Sequence, residues 1–308
     1  MPRSLPPFRA ALLAPRHWPA WLGLACIALA ARLPRRLLLA SGRGLGWLAA
    51  RLMGERRRVA ATNLALCFPD MDEGARAILL EANLRDSGLM LAEFALAWMG
   101  SARAIARIAV TLEGLEHLEQ ARAAGHGVLL VGAHFSHLEL CARLVSQRLR
   151  IAGMYREHDG AAFEWAIRRA RLRYAEHMFT KNEIRQSVRY LKGGGILWYA
   201  PDQDMRGKDA VFVPFFGVPA ATITATHHLA RLSGARVIPF FHRRLQDGGY
   251  AIRLEAPLEA FPGPDPATDT ARVNGVIERM VREAPSQYLW MHKRFKSRPP
   301  GMADVYRP

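Results

Sequence analysis

The chain has 308 residues, of which half are hydrophobic and 23% are charged. This apolar content excludes a disordered protein, and the absence of an uncharged apolar run of about 18 residues excludes a multi-pass transporter. The three cysteines include no C-x-x-C pair, which excludes a disulfide scaffold and a zinc ribbon and is typical of a reducing compartment.

The net charge is strongly positive, at +16, from 43 Lys and Arg residues against 27 Asp and Glu residues. Almost all of the excess is arginine, whose planar guanidinium binds phosphate and carboxylate groups through two parallel hydrogen bonds. Arginine-rich coding and a general solubility charge are the simple explanations. The functional one is an acidic partner: nucleic acid, an anionic membrane or a polyanionic substrate.

The first 55 residues combine an apolar stretch with arginines. Residues 18–31 carry no charge but are short for a membrane span, and residues 35–53 predict a helix. One side of that region carries Arg32, Arg36, Arg43 and Arg51, while Leu and Trp occupy much of the rest. Such a helix suits an anionic membrane surface; an amphipathic helix packed on a core is the alternative. A cleaved signal peptide is disfavoured, because the amphipathic pattern continues beyond the apolar stretch.

We therefore expect two segments: a membrane-associated helical segment over residues 1–55 and a catalytic domain over 56–308. The arginines that follow the apolar stretch predict that the bulk of the chain faces the cytoplasm. Both a single span and a helix that only dips into the membrane remain open.

The remainder alternates between strand-like and helix-like patterns, which predicts an α/β fold, an αβα sandwich. Apolar runs of strand length occur at 127–131, 196–200, 237–241 and 250–254. Helical patterns occur at 56–66, 72–99, 137–149, 161–176, 182–192, 220–233 and 268–284.

The segment that carries chemistry follows the first of these strands. His134 comes directly after Gly132 and Ala133, and Glu139 lies five residues further on. On one regular helix they would be about 140° apart, so they can meet only if His134 lies in the turn and Glu139 in the first helical turn. A carboxylate on the ring N–H of a histidine fixes its tautomer and makes it a general base. A helix that starts here would also favour a developing oxyanion.

Other interpretations of this segment are weaker. His137 is expected to be a local hydrogen-bonding residue rather than a second base. A metal site made of His134, His137 and Glu139 is disfavoured, because these residues do not share a helical face. Ser136 lacks the G-x-S-x-G context of a nucleophile.

The H-x4-E segment resembles the H-x4-D/E motif of the glycerolipid acyltransferases. Further segments, in the same order, resemble the late acyltransferases of lipid A biosynthesis, the group that transfers lauroyl and myristoyl chains. They are NLALCFPDM (63–71), YREH (155–158), YAPDQD (199–204), VFVPFFGVPAAT (211–222), RLSGARVIP (231–239) and QYLWMHKRFKSRP (287–299). The resemblance runs from about His17 to the end of the chain.

The resemblance implies transfer of a fatty acyl group from acyl carrier protein to a hydroxyl of a hydroxyacyl chain on a Kdo-bearing lipid A precursor. It also implies a location at the inner membrane of a bacterium, and it implies no metal or cofactor. His134 would be the general base and Glu139 its orienting partner, while Arg171 and Asp202 align with functionally important positions. Two departures, His137 and Met205, lie beside motif residues and bear on specificity.

Two further sets of side chains are open between a substrate role and a local one. Asp202 and Asp204 either support the site or bind neighbouring arginines or cap a turn. Arg156 and the arginines around Arg171 form either a solvated helix face or a surface for substrate phosphate or carrier protein.

Two other functions compete with acyl transfer. The same dyad could deliver water, making a thioester or lipid hydrolase, and the basic charge could bind nucleic acid. No RRM, KH or helix-turn-helix pattern occurs, so a nucleic-acid partner is not expected.

Overall fold

The computed structural model of this chain describes residues 5–207 and 209–307, apart from the side chains at positions 49 and 50. Residues 1–4, 208 and 308, which belong to the two predicted segments, lie outside the described residues. Short 3-10 turns at Ala10–Leu13 and Pro15–His17 lead into the first helix.

Helices form the first third of the chain. They are α1 (Trp18–Ala30), α2 (Arg35–Leu52), α3 (Gly54–Cys67), α4 (Glu73–Met99) and α5 (Ala102–Ala106). The long helix α4 begins where the Asp72 carboxylate accepts a hydrogen bond from the Ala75 backbone N–H at 2.8 Å. No helix within the described ranges is both long and apolar enough to cross a membrane.

Helix α2 lies against α4 through glycines. A Cβ atom on Gly88 would come within 2.4 Å of the Gly46 Cα atom and 2.6 Å of the Gly42 carbonyl oxygen. The two backbones can approach this closely only because neither surface carries a side chain there. Helix α2 nevertheless keeps exposed Leu and Trp side chains on its other side, beside Arg36 and Arg43. Packing on a core and an exposed amphipathic face therefore occur on the same helix.

Seven strands form the main sheet, in the order β1-β9-β8-β2-β5-β3-β4. Their bounds are β1 (Val110–Glu113), β2 (Val128–Val131), β3 (Ala152–Tyr155), β4 (Met178–Thr180), β5 (Ile196–Tyr199), β8 (Arg236–Arg244) and β9 (Tyr250–Leu254). All neighbouring strands are parallel except β8 and β9, which pair antiparallel. A separate antiparallel hairpin joins β6 (Ala210–Phe215) to β7 (Val218–Ile223).

Helices connect the strands and complete both sides of the sheet. They are α6 (Leu115–Ala123), α7 (Leu138–Val145), α8 (Ala161–Arg171), α9 (Ile184–Lys192), α10 (Ala225–Ser233) and α11 (Pro266–Glu283), with a last 3-10 turn at Pro285–Gln287. The central strand β2 is buried along its whole length. Its alternate side chains enter two hydrophobic clusters, Leu129 and Val131 on one face and Val128 and Leu130 on the other.

The predicted α/β fold is confirmed, as are the four predicted strands and most of the helices. The predicted helix over 220–233 is wrong in its first part, because 218–223 pairs with 210–215 in the hairpin. Strands β1, β3 and β4 were not predicted; each has three or four residues.

Candidate active site

The central strand β2 ends in a turn that carries His134. Gly132 follows the strand in a tight space, where a Cβ atom would meet the Trp198 Nε1 atom at 2.9 Å and the Phe240 carbonyl oxygen at 3.0 Å. A glycine is therefore required for the chain to leave the sheet here. The turn lies at the carboxyl edge of the parallel strands, which is where open α/β sheets bind ligands.

Asp202 is the carboxylate that holds the His134 ring. The Nδ1 atom of His134 lies 2.6 Å from Asp202 Oδ1, and the His134 backbone N–H donates to Asp202 Oδ2 at 2.9 Å. The contact forms because β5, which Asp202 follows by three residues, pairs in parallel with β2. Since the carboxyl ends of parallel neighbours meet at one edge, the loops after them are adjacent.

In this pair, the Asp202 carboxylate is ionised and the His134 ring is accessible to a ligand. The Asp202 side chain is 1% exposed, whereas the His134 side chain is 29% exposed. Burial raises the pKa of Asp202, but the charge and hydrogen bonds of His134 outweigh it and lower that pKa to about 2. Burial lowers the pKa of His134, but the charge and hydrogen bond of Asp202 raise it above its ordinary value of 6.5.

The expectation that Glu139 orients His134 is wrong in its geometry. Glu139 does lie in the first turn of α7 and His134 in the preceding turn, as predicted. Both oxygens of the carboxylate, however, bind other side chains. The Arg171 guanidinium forms a two-point ion pair with it, and the Trp98 Nε1–H and the Tyr174 hydroxyl donate to its Oε2 at 2.8 and 3.1 Å.

The Glu139–Arg171 pair links three helices rather than completing the base. Trp98 lies in the last turn of α4, Glu139 lies in the first turn of α7 and Arg171 is the last residue of α8. Both charged side chains are 13% exposed. Burial raises the pKa of Glu139, but Arg171 and the other donors lower it below its ordinary value, so the carboxylate is charged. Spacing alone could not reveal this, because the partners lie 32 and 41 residues away in the sequence.

Of the other charged residues near the site, some border the cavity and others hold the surrounding segments in place. Asp204 holds the C-terminal segment, because its two oxygens accept from the Ser297 backbone N–H and the Ser297 hydroxyl, each at 2.9 Å. Arg156 is exposed at the edge of the cavity described below. Arg294, in the basic segment near the C-terminus, is buried and donates to the Ala221 carbonyl and the Thr222 hydroxyl.

His137 is fully buried, and its one polar contact is a weak one with the backbone of His242. The structure does not bring His137 together with His134 and Glu139 as a metal site. His134 is bound to Asp202, and Glu139 is bound to Arg171.

His134 opens into a cavity of about 860 Å³. Its wall is largely apolar; it includes Met90, Phe94, Leu138, Ala142, Val145, Ile151, Met154, Met178, Leu229 and Phe240. Glu139 and Arg171 line one part of the wall, and the basic side chains of Arg156 and Lys181 also border the cavity. A ligand with a long apolar part and an anionic part fits such a surface.

The fold and this site define a class of protein: an α/β protein with a histidine–aspartate pair at the mouth of a largely apolar cavity, an arrangement typical of enzymes. The comparisons with known proteins make this specific. The family model of bacterial lipid A biosynthesis acyltransferases matches residues 5–297, so the chain belongs to that family and is an acyltransferase of the EC 2.3.1 class. The resemblance predicted from the sequence is confirmed.

Curated relatives differ in the acyl chain that their names state. A lipid A biosynthesis lauroyltransferase of Escherichia coli is 40% identical over 98% of this chain and 99% of its own. A palmitoleoyltransferase of the same organism is 36% identical over 97% and 98%, and a myristoyltransferase is 30% identical over 98% and 94%.

Proposed function

We propose that this enzyme transfers a lauroyl- or myristoyl-class chain from acyl carrier protein to a hydroxyl of a hydroxyacyl chain on a Kdo-bearing lipid A precursor. The observation that carries this proposal is the position of the His134–Asp202 pair at the mouth of the apolar cavity. The volume of about 860 Å³ is near the upper end of ordinary ligand pockets, which suits a fatty acyl chain.

His134 acts as the general base through its Nε2 atom. Because Asp202 is ionised, Nδ1 carries the proton and donates to it, which leaves the Nε2 lone pair for the acceptor hydroxyl. The hydroxyl oxygen attacks the thioester carbonyl as its proton moves to Nε2. Asp202 stabilises the resulting imidazolium, which returns the proton to the departing thiolate of the carrier protein. Helix α7 begins four residues after His134, and its positive end favours the oxyanion.

Glu139 has a positioning role in this mechanism. Its contacts with Trp98 and Arg171 hold α4, α7 and α8 around the cavity, next to the turn that carries His134. An ionised carboxylate here also favours the imidazolium, because a nearby negative charge raises the pKa of His134. Glu139 thus contributes to the geometry of the site and to the charge around His134, while Asp202 directly orients the base.

The enzyme works at the cytoplasmic face of the inner membrane, which it contacts through α1 and α2. Exposed apolar side chains on these helices support this: Trp18, Leu22, Leu29, Leu37, Leu45, Trp47, Leu48 and Leu52. Arg32, Arg36, Arg43 and Arg51 are exposed beside them. This combination suits a helix pair that lies at an anionic surface, so the arrangement is monotopic. Residues 1–55 then form the anchoring segment, and 56–308 carry the chemistry.

The test is a detergent-solubilised assay with a set of acyl-carrier-protein thioesters and a Kdo-bearing tetraacyl lipid A precursor. Wild type is compared with His134→Ala. A new acylated lipid from wild type alone is the expected result, and the thioester consumed fastest identifies the preferred chain. Free fatty acid without acylated lipid would mean a hydrolase instead. A precursor that lacks Kdo shows whether that sugar is needed.

A further inference from the structure

Three buried side chains that acyl transfer does not use come together behind the His134 turn. His137 immediately precedes α7, Cys141 lies one helical turn further along it, and His242 lies on β8. All three are 0% exposed. One ligating atom from each lies within 4.8 Å of the others. The two histidine rings are edge to face, with their centroids 4.7 Å apart.

The polar atoms of this cluster are poorly partnered. Neither ring nitrogen of His242 makes a hydrogen bond to any described residue, and the His137 ring has only a weak contact with the His242 backbone. Each unpaired buried polar group costs about 1–3 kcal/mol, and native interiors contain few of them. Each neutral ring offers one lone pair, so the two touching rings present two lone pairs that a bound metal ion can take up.

We propose that His137, Cys141 and His242 bind one zinc ion. Two imidazole nitrogens and a thiolate are among the donors that zinc prefers, and three protein ligands leave a fourth position for a small ligand. Zinc bond lengths of about 2.0–2.3 Å in a tetrahedron require ligand atoms roughly 3.3–3.6 Å apart. Zinc binding would draw the three atoms together from their observed separations of up to 4.8 Å.

The surrounding charges balance such an ion. The Arg244 guanidinium binds Glu93 and Asp86, each at 2.8 Å, so this group carries one net negative charge. Zinc with the Cys141 thiolate carries one net positive charge. Zinc binding releases the proton of the Cys141 thiol to solvent as the metal–sulfur bond forms.

The ion would tie α7 to β8 directly behind the base. The Phe135 ring, next in sequence to His134, lies 5.4 Å from the His242 ring and 6.0 Å from the His137 ring. The metal does not touch the reacting atoms in this arrangement; it fixes the turn from which His134 projects.

The experiment measures zinc in the full chain, purified in detergent without a polyhistidine tag. The protein is stripped with a chelator, loaded with one equivalent of zinc, dialysed and analysed for metal. Cys141→Ala and His242→Gln are compared with Cys67→Ala, which removes another buried cysteine outside the cluster. We expect about one zinc per chain in wild type and Cys67→Ala, and at least about tenfold less in the two cluster variants.

A second measurement keeps the proposal testable if a cluster variant fails to fold. Wild type loaded with cobalt(II) should show thiolate-to-cobalt charge-transfer absorption, which zinc abolishes on addition. Wild type that binds no zinc and shows no such absorption would overturn the proposal. Retention of zinc by folded Cys141→Ala at the wild-type level would do the same.

Discussion

Asp202 and Glu139 are two buried carboxylates in the same site, and they differ in the partner each one holds. Asp202 contacts a histidine that is 29% exposed, whereas Glu139 contacts an arginine that is 13% exposed and two further donors. A histidine exchanges its proton near neutral pH, but an arginine does not. The Asp202–His134 pair is therefore suited to general-base chemistry. The Glu139–Arg171 pair is not, although Glu139 is the motif carboxylate nearest to His134 in the sequence.

This comparison shows why sequence proximity misleads here. Glu139 follows His134 by five residues, but its side chain turns toward α4 and α8, where Arg171 provides an ion pair. Asp202 lies 68 residues away from His134 and reaches it because β2 and β5 are neighbours. Strand pairing, rather than motif spacing, selects the carboxylate.

The largest effect is expected for His134→Ala. Removing the base should lower kcat by about 10³-fold or more, because only weaker bases such as water remain to accept the proton. Steady-state rates of acyl transfer measure this, with circular dichroism to establish that the variant is folded. His117→Ala, on α6 and away from the cavity, is the matched control. Folded His134→Ala with turnover near wild type would refute the mechanism.

Asp202→Asn should lower kcat by about 10²-fold, since the imidazolium loses its counter-charge. The asparagine keeps the shape, so the pH profile separates charge from geometry. The Asp202 charge raises the pKa of His134, so its removal lets the ring lose its proton at lower pH. The acid limb of kcat/KM should therefore move to lower pH than in wild type. An unshifted limb would mean that Asp202 does not set the basicity of His134.

Glu139→Gln should affect stability more than chemistry. It leaves Arg171 buried without its counter-charge, at a cost of about 3 kcal/mol in the free energy of unfolding. Activity per folded molecule should fall less than about tenfold, well below the loss in Asp202→Asn. Adding Arg171→Met should recover part of the stability, which denaturant unfolding of the single and double variants measures. If the double variant loses as much free energy of unfolding as the two single variants together, Glu139 and Arg171 are not directly coupled.

The ion pair also predicts how stability depends on pH. The folded pKa of Glu139 lies below its ordinary value of 4.5. Its stabilisation is therefore present above about pH 4.5 and disappears as the pH falls through the folded pKa. Glu139→Gln should lose this acid-dependent component, so its stability should approach that of wild type in acid.

The smallest effect is expected for Arg156→Glu, at the exposed edge of the cavity. Reversing one exposed charge should raise the apparent KM about threefold to tenfold and leave kcat unchanged, and salt should reduce the difference. Arg148→Glu reverses an exposed arginine that does not border the cavity. Equal KM values for both variants would remove Arg156 from the binding surface.

Much of the fold follows from local pattern. The run over 127–131 predicts β2 because a central parallel strand is apolar along its length, and the neighbouring glycine, alanine and histidine predict a site at its end. The short strands β3 and β4 were not predicted, since their sequences, AGMY and MFT, lack the continuous run of branched apolar residues that marks β2. The β6–β7 hairpin was read partly as helix because alternation over six residues is weak beside a following helix.

Four of the predicted site residues lie close together, but their contacts could not be predicted. His134, Glu139 and Arg171 line the cavity and Asp202 holds His134, yet which residues touch depends on strand order and helix packing. The His137, Cys141 and His242 cluster was out of reach for the same reason. His137 and Cys141 share one helical face, but β8 brings in His242 from 101 residues further along the chain.

The pH profile of kcat/KM for acyl transfer, measured on wild type, Asp202→Asn and Glu139→Gln, tests the central claim most directly. If Asp202 orients His134 and raises its pKa, Asp202→Asn shows a larger loss of rate than Glu139→Gln and a larger shift of the acid limb to lower pH. If Glu139→Gln instead shows the larger loss and the larger shift, per folded molecule, the assignment of the two carboxylates is reversed.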